Sequence, residues 1–308
     1  MAATGAPRVG TPQTRPSPSI SERFVRFWNH YLLFIYTGFA IVYLMAPVAV
    51  MALFSFNDPA GKSNFVWQGF TLDAWQNIFV VPGLEGAVVL SLGIALASTA
   101  VATTLGTLIA LALARHDFRG RGGTNLFIFL PMATPEIVLG ASLLTLFVAI
   151  GAPPFFPLSF ITILIAHIMF NISFVVVTVR ARLSGFPTHL EEAAMDLGAN
   201  ELTTFRKITF PLILPGVMAA GLLAFSLSID DFVITNFTAG GTVTFPMFIY
   251  AKARIGIPPQ VNVVGTIIFL SAVGLVAIST IASRRQAMRD EAMARRHATE
   301  AANAADAA

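Results

Sequence analysis

Glu136, His167, Asn171, Asp230 and Asp231 fall inside stretches of sequence otherwise apolar enough to cross a lipid bilayer. Ionisable groups are costly in hydrocarbon, so they face a bundle interior, a water-filled cavity or a partner. Glu136 follows Pro135 in FLPMATPEIVLG, where Pro131 and Pro135 remove backbone donors and predict a kink. A carboxylate beside such a break can line a translocation path; a structural ion pair or a protonated buried acid is the plainer alternative. His167 and Asn171 stand four residues apart and share a helix face. They read first as polar glue between helices, within reach of Glu136 or a neighbour. Asp230 and Asp231 adjoin in SLSIDDFVITNF, and neighbours on a helix point about 100° apart. One division has one acid facing the path and the other pairing or capping. Carboxylates at two depths with little basic counterpart favour a cationic solute over sulfate, phosphate or phosphonate.

The chain is built to place such groups in a membrane. It has 308 residues, 56% hydrophobic and 11% charged, with no cysteine. That composition indicates an all-α integral membrane protein and excludes disulfides, thiolate metal sites and a cysteine nucleophile. The net charge of +3 says little by itself and, in a membrane protein, need not point to nucleic acid; none is expected as a partner. Six apolar runs, about 31–55, 86–113, 125–150, 158–179, 212–235 and 261–282, each supply roughly the 20 residues needed to span. Residues 1–22 form a polar extension expected to be disordered. Residues 23–85 hold the first span and an external segment with Trp67, Phe70, Trp75 and Phe79 for the interface. Residues 86–283 hold the core, and 284–308 a charged, alanine-rich tail expected to fray. Arginines and lysines crowd one set of flanks (Arg23, Arg26, Arg115, Arg119, Arg121, Arg180, Arg182, Arg206, Lys207, Arg284, Arg285), against only Lys62, Lys252 and Arg254 on the other. The asymmetry predicts that both termini face the cytoplasm.

Between the fourth and fifth runs lies a charged loop, residues 180–215, with Glu191, Glu192, Asp196, Glu201, Arg206 and Lys207. Pro187 and Thr188 predict a helix starting near His189, with Glu191 and Glu192 in its favourable first turn. Gly198 permits a left-handed turn, residues 200–207 predict a second short helix, and Pro211 precedes re-entry into the bilayer. A short helix tied at both ends to spans can act as a lever. Protease motifs such as H-E-x-x-H or G-x-S-x-G are absent, as is G-x-x-x-x-G-K-[ST]. The residues therefore offer no recognisable enzyme motif, and if the chain serves an ATP-driven machine, another polypeptide hydrolyses the ATP.

EEAAMDLGAN followed by FRKITFPLILP resembles the EAA loop of type I ABC importer permeases, carried here by Glu192, Ala193, Ala194, Gly198, Ile208 and Pro211. The likeness extends over roughly residues 60–285 and implies a MetI-like fold of six membrane helices with cytoplasmic coupling helices. PEIVLG, VVVTVRARLSGFPTHLEEAAMDLGA, SLSIDDFVITNF and IYAKARIGIPPQVN are similar to the second permease subunit of spermidine/putrescine importers. That resemblance places the substrate pathway at Glu136, Asp230 and Asp231, with His167 and Asn171 nearby. It gives ATPase coupling to Glu191, Glu192, Ala193, Ala194, Asp196, Gly198, Ile208 and Pro211. It also implies an ABC ATPase dimer holding ATP and Mg2+, a second permease subunit, an external substrate-binding protein and a bacterial inner membrane, with no cofactor or metal on this chain. Permeases for ferric ion, thiamine, a sugar or another small solute share the architecture and stay open as alternatives.

Overall fold

A computed structural model describes residues 20–61 and 63–306. The polar extension up to residue 19, and Lys62, lie outside the described residues. The described chain is helical, with one isolated antiparallel bridge between Asn57 and Phe70. In order, the helices are α1 (Ile20–Phe54), α2 (Asp73–Gln76), α3 (Leu84–Arg115), α4 (Arg121–Ala133), α5 (Glu136–Ile150) and α6 (Phe160–Leu183). They continue with α7 (His189–Asp196), α8 (Glu201–Thr204), α9 (Phe210–Ile229), α10 (Val233–Thr238), α11 (Phe245–Ala253) and α12 (Pro259–Asp306).

Among the described residues five segments are long and apolar enough to span, and α4 with α5 makes a sixth if that bent pair counts as one. The third apolar run is thus not one kinked rod. Its two helices meet at 109°, broken at Thr134 and Pro135. Pro131 is accommodated inside α4, whereas the residue before Pro135 is driven to extended backbone, so the chain turns there. The fifth run is also corrected: α9 ends at Ile229 and α10 is a separate short helix after Asp230–Phe232. α12 continues as a helix through the tail to Asp306.

Two units divide the chain: residues 55–264, and residues 1–54 with 265–308. In the second, Gly265 of α12 lets Met51 of α1 approach so closely that a Cβ would lie 2.7 Å from its sulfur. The apolar stretch Tyr31–Phe54 of α1 has no buried residue, as expected for a lipid-facing helix.

In the first unit, α3, α6 and α9 pack around Leu113, Val175, Val176, Val179, Ile213 and Ala220. With lipid as solvent, close van der Waals packing replaces the hydrophobic drive, and small residues permit it. The closest approach between these three helices is at Gly106, where a Cβ would sit 2.6 Å from Val175 Cγ1. The external segment is organised by Asn57. Its buried amide donates to Asn64 Oδ1 (2.7 Å) and the Val66 carbonyl (2.8 Å), and accepts from the Gln68 amide (2.7 Å). Phe56 stacks between Phe70 and Trp75 at 5.6 and 5.2 Å, and the Trp75 indole donates to Ser55.

Candidate functional site

The charged loop and the polar residues within the spans form two distinct sites in the first unit. In the loop, α7 begins at His189 as expected, but Thr188 makes no side-chain cap. The helix ends in a Schellman turn: the Gly198 amide donates to Met195 (2.8 Å) and the Ala199 amide to Ala194 (3.0 Å), with Gly198 at φ +86°. The spacing from the alanine pair to the glycine is therefore the length of a helix plus its left-handed cap. Asn200 then caps α8, accepting from the Thr203 amide at 2.8 Å. The expected second short helix is not separate. A π turn at Phe205–Thr209 joins α8 to α9, with the Phe210 amide donating to Phe205, five residues back. Pro211 explains the widening, since its ring opposes the carbonyl of Lys207 and it has no amide hydrogen to give.

The two loop glutamates part company. Glu191 turns inward, where both carboxylate oxygens take the Arg115 guanidinium, one at 2.7 Å, and the Thr209 hydroxyl donates to it as well. Arg115 ends α3 and Thr209 precedes α9, so one carboxylate ties α7 to two spans. Partial burial works to raise the Glu191 pKa, but the bonds from Arg115 and Thr209 and the Arg115 charge outweigh it. The carboxyl therefore titrates below the ordinary glutamate value and is charged at neutral pH. Arg115 also lies over the Phe186 ring at 4.9 Å. Glu192, Ala193 and Asp196 are exposed, Ala194 and Ile208 are half-buried, and Pro211 is exposed. Leu197 is 90% exposed, with Met195 and Leu202 also open, leaving an apolar face on the loop without a partner among the described residues. Gly198 has no neighbour within 4 Å of a built Cβ, so its requirement is conformational rather than steric. Gly198→Val is expected to disrupt the turn and abolish uptake, while Gly198→Asn, a residue that tolerates the left-handed region, retains most of it. Equal uptake by both variants would remove the turn from the coupling argument.

Within the spans, His167 and Asp231 meet. His167 Nδ1 is 2.7 Å from Ser228 Oγ of α9; Nε2 is 2.9 Å from Thr235 Oγ1 of α10 and 3.3 Å from Asp231 Oδ2. Ser228 Oγ lies 3.0 Å from Ser98 Oγ of α3, so the chain of polar contacts links α3, α6, α9 and α10. Asp231 caps α10, accepting from the Thr235 amide (2.8 Å), the Thr235 hydroxyl (2.7 Å) and the Ile234 amide (3.3 Å). His167 is thus bonded across to the α9–α10 junction and not to Glu136. Asn171, 0% exposed, finds no protein hydrogen-bond partner for either amide atom. Asp230 is exposed at the end of α9, and Glu136 is exposed in the first turn of α5. The structure therefore joins His167 and Asp231 with Ser98, Ser228 and Thr235, and leaves Asp230 and Glu136 open. Neither Ser98 nor Thr235 carried a signal in the sequence, because each is an ordinary hydroxyl made important by a neighbour at least 61 positions away. α10 is held further by Thr162, whose hydroxyl donates to the Thr238 carbonyl at 2.8 Å, and by Phe237 lying against Gly140 of α5. Among the described residues no group of three His, Asp or Glu is placed to hold a metal ion.

Residues 102–290 match the family described as binding-protein-dependent transport system inner membrane component. The chain belongs to that family. The permease is 36% identical over 268 residues to the spermidine/putrescine transport system permease protein PotC of Haemophilus influenzae, covering 86% of this chain and 99% of the relative. It is 38% identical over 267 residues to the putrescine transport system permease protein PotI of Escherichia coli K12, covering 84% and 93%. Among solved structures, a bacterial ABC transporter involved in the import of the acidic polysaccharide alginate matches with a TM-score of 0.63 at 16% identity, over 86% of this chain and 99% of that one. At that identity the likeness establishes a shared fold. The chain is a multi-pass, MetI-like permease subunit of an ABC importer.

Proposed function

We propose that this permease carries polyamines, spermidine or putrescine, from an external binding protein into the cytoplasm of a bacterium. Its similarity to PotC and PotI along most of their length carries the reading. The exposed carboxylates of Glu136 and Asp230, at the two helix breaks, support it because cationic amines need acceptors that are not already committed. Asp231, with its lone pairs taken by Thr235, Ile234 and His167, positions α10 rather than offering itself to solute. In the working complex an ABC ATPase dimer binds ATP and Mg2+ and docks on the exposed face of the loop through Leu197, Met195 and Glu192. Closure of that dimer pulls α7, and Glu191 passes the pull to α3 and α9. A second permease subunit completes the pathway. Both termini and the loop lie in the cytoplasm of an inner-membrane protein, following the basic flanks.

Labelled spermidine and putrescine uptake, in cells lacking the chain and in cells with it restored alongside its partners, tests this reading. Saturable uptake is expected to return only with the chain. Assembly and ATP hydrolysis without uptake of either amine would keep the importer and end the polyamine assignment. Asp230→Asn is expected to lower uptake about tenfold with assembly intact, the scale of one lost charge-assisted contact. Asp231→Asn is expected instead to lower thermal stability as well, since it weakens the cap of α10. Full transport by Asp230→Asn would remove that acid from the pathway.

A further inference from the structure

Arg180 differs from the other cations at the basic end of the first unit. Arg115 pairs with Glu191, Arg121 pairs with Asp117, and Arg182 donates to the Leu212 carbonyl at 3.2 Å. Arg119, Arg206 and Lys207 are exposed. Arg180 is half-buried, and among the described residues its one hydrogen bond goes to a neutral group, from Nη1 to Asn125 Oδ1 at 2.7 Å. Among the described residues no carboxylate forms an ion pair with it. A guanidinium has five donors in a planar fork, and a partly desolvated one left with a single neutral acceptor is poorly compensated.

What it borders is an open surface groove of about 570 Å³ between α4 and α6, lined by Asn125, Phe129, Val177, Arg180 and Ala181. The wall is apolar on Phe129, Val177 and Ala181 and cationic at one end. Arg180 lies three residues before the end of α6, which at about 1.5 Å per residue puts it at headgroup depth rather than mid-bilayer. A cation at that depth beside an apolar wall matches a lipid that carries a negative phosphate above a hydrocarbon chain.

We propose that this groove is a binding site for an anionic phospholipid. The Arg180 fork takes the phosphate, the Asn125 amide nitrogen adds a donor, and Phe129, Val177 and Ala181 carry the upper acyl chain. The site is independent of which solute is transported and requires only that α4 and α6 lie in the bilayer.

The full chain, purified with its partner subunits, is exchanged into nanodiscs with equal phosphatidylglycerol and phosphatidylcholine, and retained lipid is counted by native mass spectrometry. Phosphatidylglycerol is expected to be retained selectively. Arg180→Ala should lower its retention about tenfold, as for one charge-assisted pair, and leave phosphatidylcholine unchanged. Arg180→Lys should fall between, because a point charge lacks the fork. Unchanged phosphatidylglycerol retention in Arg180→Ala would overturn the proposal, and so would displacement of the lipid by excess inorganic phosphate, which would assign the site to a soluble anion. Should Arg180→Ala fail to assemble, Val177→Trp decides. It fills the apolar wall without removing the cation, and the expected result is loss of the lipid; its retention would overturn the site.

Discussion

Glu191→Ala is expected to cut uptake at least tenfold while ATP hydrolysis continues, whereas Glu192→Ala should weaken ATPase docking instead. The two residues are adjacent but point about 100° apart around α7, Glu191 toward Arg115 and Thr209 and Glu192 into the open. Glu191 holds Arg115 and Thr209, and Thr209 is only 4% exposed, so truncation strands a partly buried cation and a buried hydroxyl. Leaving such partners unpaired costs about 1–3 kcal/mol. That is enough for α7 to shift against α3 and α9 when pulled, so the work of ATPase closure is dissipated in the loop. Arg115→Ala should produce a similar defect, and the double variant should be little worse than either single one, because the same contact is lost once. The decisive quantity is solute moved per ATP hydrolysed. Additive losses in the double variant would mean that the two side chains act separately, and an unchanged ratio in Glu191→Ala would remove the tie from the transmission path.

A large effect on stability is expected at Gly240. It sits at φ +60°, and a Cβ there would lie 2.6 Å from the Leu158 carbonyl oxygen, a backbone atom with no freedom to swing away. Left-handed backbone and overpacking together make Gly240→Ala destabilising by about 2–5 kcal/mol. The turn fixes the exit from α10, so the loss should appear both as a lower melting temperature in detergent and as weakened uptake. Gly241→Ala is the matched control: it has open space around its Cβ and no positive φ, and should behave as wild type. A melting temperature for Gly240→Ala equal to that of Gly241→Ala would contradict the packing described here.

These two residues mark what could be read from sequence and what could not. Features set by local rules were legible: the apolar runs, the start of α7 at His189, the turn at Gly198 and the break near Pro135. The helix junctions were harder. Nothing local distinguishes Asp230, where α9 stops, from one more turn of the span, and the placement of both acids depends on that stop. Pro211 pointed to a boundary, but the continuous helix at its back relieved the strain with a π turn instead. Pairings across long separations were invisible. Arg115 and Glu191 are 76 positions apart, and His167 reaches Thr235 across 68. With no periodicity linking such partners, local sequence leaves His167 open to Glu136 or to a neighbouring helix, and packing delivers the α9–α10 junction. Asn57 illustrates the same point outside the spans, since a turn-forming amide became the buried centre of its segment.

The most direct test of the account is reconstitution of the purified chain with its ATPase, companion permease and binding protein in proteoliposomes, measuring labelled spermidine and putrescine accumulated against ATP hydrolysed. The account predicts accumulation that requires both ATP and the loaded binding protein, that is competed by unlabelled polyamine, and that falls with Asp230→Asn without loss of assembly. ATP hydrolysis stimulated by the binding protein with another solute, and no accumulation of either polyamine, would contradict it.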